Sequence, residues 1–249
     1  MKVLTPQTPE AWNAYVRSFA TWDVYYLCEY AVSLKLHGDG EPLLLCFEHG
    51  SERMCYVVMR KDIADDPRFH GLLPAGRLFD LETPYGYGGP LIDAPLSPET
   101  QRIFMEELRT YCLEQHIVTQ FLRYHPLLDN HGVVSPMTET RYLRDTIYMD
   151  TASPELILAN MDSKNRNMVR KAQRSGVTVR EAPMSEYAPF LELYRQTMDK
   201  HSAEEYYTFG TSYFDYLSEH LSDHAFLLYA ELEETPISGA IFFHTNGSM

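Results

Sequence analysis

The side chains best able to do chemistry fall in a few short stretches of the 249-residue chain. Residues 163–180 hold Lys164, Arg166, Arg170, Lys171, Arg174 and Arg180 and no acid. From Thr151 onward the remaining residues include two basic and 14 acidic ones, so this is a local feature of an acidic protein of net charge −14. On a helix Arg166, Arg170 and Arg174 fall at i, i+4 and i+8 and share a stripe, where like charges repel by roughly a few tenths of a kcal/mol per pair. A bound anion removes that repulsion, and guanidinium groups grip phosphate through paired N–H donors. The phosphates of a nucleotide, an acyl carrier or a tRNA end all fit. A solvated basic face that complements the helix dipole is the other reading of the same residues.

A second stretch is Thr83-Pro84-Tyr85-Gly86-Tyr87-Gly88-Gly89-Pro90, which follows an expected strand. Its glycines let a backbone turn sharply or approach a ligand, and Tyr85 and Tyr87 offer hydroxyls and flat faces for a sugar or a base. An ordinary glycine-rich turn has the same composition. It is neither a Walker loop nor a dinucleotide fingerprint, so nucleoside triphosphate hydrolysis has no support. His125, at a strand end in Arg123-Tyr124-His125-Pro126, is a candidate base or a structural histidine. Tyr206 and Tyr207 are candidates to line a pocket or to fill a core. The nucleophile elbow and the zinc-hydrolase helix are both missing, so a covalent enzyme intermediate is not suggested.

With 45% hydrophobic and 22% charged residues the chain can bury a sizeable core. Its acidity disfavours non-specific binding to duplex nucleic acid. No apolar run approaches the ~18 residues of a membrane span, and the first residues lack a secretory pattern. Cys28, Cys46, Cys55 and Cys112 have no metal-type spacing, so they read as reduced thiols of a cytoplasmic protein, with no metal site and no permanently bound cofactor.

The elements that must position these residues read as a mixed α/β (α+β) pattern. Helices are expected over 11–19 and 27–37. Strands are expected over 43–48 and 54–61 around a hairpin turn, then over 77–81 and at Leu91-Ile92. Ser97-Pro98-Glu99 is an N-cap, a first-position proline and a first-turn acid, and starts a helix to about Gln115. Strands follow over 118–124 and 146–149. Ser153-Pro154-Glu155 repeats the start signal, and the basic helix then runs from about Ser163 to Ser175, with Gly176 after its end. A strand over 177–181, a helix capped by Ser185, a helix over 213–221 and a hairpin over 226–231 and 237–244 complete the order. The domain boundary is expected near Asp150, giving lobes 1–150 and 151–249.

Lys164-Asn165-Arg166-Asn167-Met168-Val169-Arg170-Lys171-Ala172, followed by Gly176-Val177, resembles a signature of the Fem-type aminoacyltransferases, which are built from GNAT (acetyltransferase-like) folds. The 83–90 stretch, Arg123-Tyr124-His125-Pro126-Leu127, Leu193-Tyr194 with Thr197-Met198, Tyr206-Tyr207-Thr208-Phe209 and Gly239-Ala240-Ile241-Phe242-Phe243 resemble further blocks of that group in the same order. The resemblance implies two GNAT-like lobes with a cleft between them, and further helices and strands of the second lobe beyond Met249. It implies an N-acyltransferase that joins an aminoacyl or acyl group to an amine, with aminoacyl-tRNA or acyl-CoA as donor. The acceptor would be a UDP-sugar-peptide or a lipid-linked peptidoglycan precursor. Carried over to this chain, Lys164, Arg166 and Arg170 would meet phosphate, and Tyr85, Tyr87 and Gly88 would shape the acceptor pocket. The pyrophosphate-cradling pattern of acyl-CoA-dependent members is not met, since Gln173-Arg174-Ser175-Gly176-Val177-Thr178 departs from it at Thr178. The competing expectation is a non-catalytic ligand-binding module derived from a GNAT-like fold, completed by a homodimer partner over the open edge at 237–244.

Overall fold

The computed structural model describes residues 1–128, 130–133 and 138–245; the chain end at Gly247-Ser248-Met249 lies outside them. The chain divides into two compact units. The first comprises the described residues of 1–140, 209–224 and 243–249, and the second comprises 141–208 and 225–242. Both are mixtures of helix and sheet, as the residue pattern implies.

The first unit is built on strands β1 (Lys2–Leu4), β2 (Glu41–His49), β3 (Glu52–Asp62), β4 (Phe79–Glu82), β5 (Leu91–Ile92) and β6 (Ile117–Phe121). They lie in the order β1-β2-β3-β4-β6, and β5 pairs with β3. The 11-residue β3 accommodates two partners in tandem: β5 at Met54–Cys55 and β4 at Met59–Asp62. Helices α1 (Pro9–Arg17), α2 (Cys28–His37) and α3 (Pro98–Glu114) flank the sheet. Side chains alternate between the faces of a strand. One face sends Leu45, Phe47, Met54, Tyr56, Val58 and Leu81 into a core with Phe104 of α3. The other presents Leu44, Cys46, Val57 and Met59, all buried, and α2 contacts β2 and β3. With cover on both sides β2 and β3 become nearly continuous apolar runs, each fully buried side chain contributing about 1.5–3 kcal/mol.

Two helix starts are completed by distant side chains. The Asn13 carbonyl of α1 accepts the Cys28 N–H at 3.0 Å, where α2 has no cap of its own. At α3 the Ser97 hydroxyl accepts the Thr100 N–H at 3.2 Å as its sequence signal predicts. Glu52 of β3 adds a carboxylate that accepts from Thr100 and from the Ser97 N–H and hydroxyl, and these bonds hold its carboxyl below the usual range. All four cysteines are free, and burial pushes the Cys28 and Cys46 thiols up to about 12.

A helix from the second half of the chain, α7 (Thr211–His220), belongs to this first unit and packs on α2. Leu217 and Leu221 are buried, and Phe209 stacks on His37 of α2 with ring centroids 4.0 Å apart.

The second unit has a three-stranded sheet, β7 (Thr178–Pro183), β8 (Ala225–Leu232) and β9 (Thr235–Phe243), in that order, with α4 (Pro154–Asn160), α5 (Ser163–Arg174) and α6 (Tyr187–His201). Ser153 caps α4, its hydroxyl accepting the Leu156 N–H at 3.1 Å. Ser185 does not cap α6 as expected; it lies in a 3₁₀ turn at Met184–Glu186. The start of α6 is tied down instead by Tyr229 of β8. Its buried hydroxyl donates to the Glu186 carbonyl at 2.6 Å and accepts the Phe190 N–H at 3.2 Å, satisfying an orphan donor of the helix start from outside. The strand expected over 146–149 is not formed. Residues 139–150 have no regular structure, and Ile147 is 99% exposed. A strand is stable only with a hydrogen-bonded neighbour, and no described strand pairs with this one.

The β8–β9 hairpin turns through Glu233 and Glu234, with φ of 49° and 62°. Left-handed backbone costs an L-residue about 1–2 kcal/mol, and a tight hairpin of this kind favours Asn-Gly. Replacing the pair with Asn-Gly is expected to stabilise the chain by about 1 kcal/mol. The measurement is the urea midpoint at constant m; an unchanged or lower midpoint would show that the turn holds no strain.

Candidate functional site

Strands β4 and β6 are the parallel pair of the first sheet, and α3 connects them. Ligand sites in sheets with parallel strands tend to form outside the carboxyl ends of those strands. Here the segments that leave those ends are 83–90 and 122–128, which carry the predicted residues Tyr85, Tyr87, Gly88 and His125.

The two segments stay joined past the end of the regular ladder. The Thr83 N–H donates to the Phe121 carbonyl at 3.0 Å, and the Thr83 hydroxyl accepts the Arg123 N–H at 2.7 Å. The Gly88 N–H donates to the Arg123 carbonyl at 2.9 Å, and the Gly88 carbonyl accepts the His125 N–H at 3.0 Å. Asn130, which sequence reasoning missed, locks this join. Its buried amide donates to the carbonyls of Gly88 (2.8 Å) and Pro90 (3.2 Å) and to the Tyr26 hydroxyl (3.2 Å), and its carbonyl accepts the His125 N–H at 3.1 Å. No local motif marks it; it stands out only once the loops are in place.

The glycines serve this packing. A Cβ on Gly88 would lie 2.6 Å from the Thr83 methyl carbon, and one on Gly86, whose φ is +108°, would lie 2.5 Å from the Tyr25 ring. Gly88 therefore supports the site through its backbone. Tyr85 is partly exposed, and its carbonyl accepts the Tyr30 hydroxyl at 2.6 Å. Tyr87 packs edge-on against Tyr25 (5.9 Å between centroids) and His125 (6.0 Å), and Tyr25 lies 6.1 Å from His125. Burial, then the nearby Asp23 carboxylate, pushes the Tyr25 hydroxyl up to about 12, so it is a donor at neutral pH.

His125 is buried, and the geometry fixes its tautomer. The Leu127 N–H donates to Nδ1 at 3.2 Å, which leaves the ring proton on Nε2, 3.7 Å from the Asp23 carboxylate. In this arrangement the Leu127 N–H faces Nδ1, and Nε2 faces the Asp23 carboxylate. Asp23, also missed, is the acceptor beside it. One of its oxygens caps a 3₁₀ turn by accepting the Tyr25 N–H at 3.2 Å.

The remaining candidates lie in the second unit. Lys164 and Arg170 are exposed on α5, as is Lys171, and none of the three has a carboxylate partner among the described residues. Arg166 is differently engaged. Its guanidinium donates to the Leu158 carbonyl at 3.1 Å, to the Met161 carbonyl and to the Ser163 hydroxyl at 3.0 Å, closing the C-terminal end of α4. It acts as a strut between α4 and α5. Tyr206 and Tyr207 stand edge to face at 5.4 Å in a 3₁₀ turn, and the Tyr207 carbonyl accepts the Tyr194 hydroxyl.

Residues 128–235 match the FemAB family model. A solved structure described as the crystal structure of FemX is similar over 93% of this chain, with 15% identity and a TM-score of 0.57. The chain spans 58% of that protein's length. The structural likeness is one of fold. No curated protein matches the chain. The family match covers the basic helix and its flanks, and the Fem-type resemblance of the sequence is supported by both comparisons. Among the described residues no helix is long and apolar enough to cross a membrane.

Asn130→Ala takes the amide's hydrogen bonds away from three buried acceptors and one buried N–H, and is expected to destabilise the chain by about 2–4 kcal/mol. Chemical denaturation followed by circular dichroism measures this. A loss below about 1 kcal/mol would mean that the backbone bridge closes the loops without the amide.

Proposed function

We propose that this chain carries the acceptor-binding chemistry of an N-acyltransferase of the Fem type, which moves an aminoacyl or acyl group onto an amine. The observation that carries the reading is the convergence of 83–90 and 122–128 at the carboxyl ends of β4 and β6. It sets the Tyr87 and His125 rings against Tyr25, with the Asp23 carboxylate 3.7 Å from His125 Nε2. Tyrosine faces and hydroxyls suit a sugar or peptide, and a carboxylate suits an amine.

In such a transfer the acceptor's ammonium gives one proton to water and the free amine attacks the activated carbonyl, its second proton leaving with the departing ribose hydroxyl or coenzyme thiol. The C–N bond forms as the bond to the tRNA ribose oxygen or the coenzyme sulfur breaks. No nucleophile on the enzyme is required. The barrier falls by holding the amine and the carbonyl together and by stabilising the oxyanion. Peptidoglycan precursors bear phosphate as well as an amine, and Lys164 and Arg170 on α5, which have no carboxylate partner among the described residues, carry charge that suits phosphate. Arg166 supports them by fixing α5 to α4. The reaction belongs in the cytoplasm, where aminoacyl-tRNA and acyl-CoA are both present.

A second reading has a specific observation behind it. Tyr142, Leu143, Ile147, Tyr148 and Met149 are all more than half exposed, which suits a segment that pairs with another chain or with a second copy. A binding or dimerising module would use that segment and transfer nothing.

Two measurements separate the readings. Incubation with a UDP-sugar-peptide and aminoacyl-tRNA or acyl-CoA is expected to add the mass of one acyl residue to the acceptor; no such product, together with concentration-dependent dimerisation, supports the second reading. In calorimetry Lys164→Ala combined with Arg170→Ala is expected to weaken binding of the UDP-sugar-peptide by about 2 kcal/mol or more, on the scale of charge-assisted hydrogen bonds. Unchanged affinity would show that α5 does not bind the phosphate.

A further inference from the structure

Two features of the second unit have no part in the site described above. The first is the segment before α4. Residues 139–150 have no regular structure, and Tyr142, Leu143, Ile147, Tyr148 and Met149 within them are more than half exposed. Apolar side chains gathered in water in this way mark a contact surface. Thr146 to Met149 has the β-branched and aromatic composition of a strand, but no described strand pairs with it.

The second feature is an open edge. β9 is an outer strand of its sheet, nine residues long, and no described strand pairs with its free side. Thr235–Phe243 contains no Asp, Glu, Lys or Arg, and Ile237, Ser238 and Ala240 are exposed. Outer strands are normally protected by charge, by proline or by brevity. β9 has only Pro236, next to its turn. The opposite edge, β7, is better guarded, with Arg180 and Glu181 in the strand and Pro183 at its end. Charge also favours β9. Residues 141–150 carry Arg141 and Arg144 against Asp145 and Asp150, so a neutral segment would meet an uncharged edge in a chain of net charge −14. Within one copy the segment and the edge belong to the same unit and stay unjoined.

We infer that residues 142–149 of one copy add as a strand to the free edge of β9 in a second copy, and that the exchange is reciprocal. Two such contacts are related by a two-fold axis, so the assembly closes as a dimer rather than growing. Segment and edge together bring about 17 residues a side, near the roughly 20 of a standard interface. This rests on the second reading above, in which the segment pairs, and goes further by naming the surface that receives it. It does not require that acyl transfer be absent.

The test is sedimentation equilibrium of the 249-residue chain from low to high micromolar concentration, where a concentration-dependent dimer is expected. Ile147→Pro removes a ladder N–H from a segment that has no regular structure to lose. Ala240→Lys places a charge at an exposed position of the edge strand. Each variant alone is expected to self-associate about tenfold more weakly or less, with its circular dichroism unchanged. Mixed, the two are expected to associate again, because one keeps an intact edge and the other an intact segment. Ser238→Lys tests the same edge if Ala240→Lys disturbs the sheet. A monomer at every concentration overturns the inference. So does a dimer that Ile147→Pro leaves unchanged, as pairing of β9 with β9 would give, and so does failure of the mixed variants to associate. Acyl transfer by a chain that stays monomeric would overturn this inference and leave the proposed function standing. A dimer that responds to the variants as expected, in a chain that transfers nothing, would do the reverse.

Discussion

The candidate site depends on a parallel strand pair that does not end where its ladder ends. At the carboxyl ends of β4 and β6 the chains separate into loops, and loops in water gain entropy by drifting apart. Thr83, Gly88 and Asn130 oppose this with hydrogen bonds that continue the pairing by other means. Because these groups are buried, each bond left unmade would carry a desolvation cost, so the loops have one low-energy arrangement. The tyrosine and histidine rings inherit that arrangement. Their mutual spacing near 6 Å is a consequence of where the backbone is pinned.

The basic helix follows a different logic. Six positive groups lie close in sequence within an acidic protein, yet they do not act alike. Arg166 turns back onto carbonyls at the end of α4, a use of charge that needs no ligand and satisfies orphan acceptors. Arg180 pairs with Glu186 and Glu231 around Tyr229, which ties β7 to β8 and to the start of α6. Lys164 and Arg170 have no such internal use among the described residues. Removing the structurally committed members of a charge cluster is what distinguishes a binding face from a merely basic one.

Much of the fold was legible because local signals were strong. Ser97-Pro98 and Ser153-Pro154 start helices where they should, and the alternation and buried runs of β2 and β3 mark them correctly. The failures share a cause: the deciding partner was far away in the chain. Ser185 looked like a cap, but it falls in a 3₁₀ turn, and the helix start beyond it is held by Tyr229, some 40 residues on. Residues 146–149 have a strand's composition and no described neighbour to pair with. The helix at 211–220 reads as part of the second half, yet its apolar face is spent on α2. At the site Tyr85, Tyr87 and His125 were visible as residue types. The role of His125 was not, because a ring's tautomer is set by its hydrogen-bond partners.

Asp23 shows why some site residues escape sequence reasoning altogether. An aspartate just before a short turn is a common cap, and capping alone explains its presence. A carboxylate has two oxygens, however, and the cap uses one. Whether the second is idle or engaged depends on what the fold brings opposite it. Here that is His125 Nε2 at 3.7 Å, with no lysine or arginine within ion-pair distance among the described residues. If capping were the whole function, an asparagine would serve it without burying a charge. The residue that stands there keeps one carboxylate oxygen without a hydrogen-bond donor among the described residues, and the amine of the proposed acceptor is a group whose charge would match it.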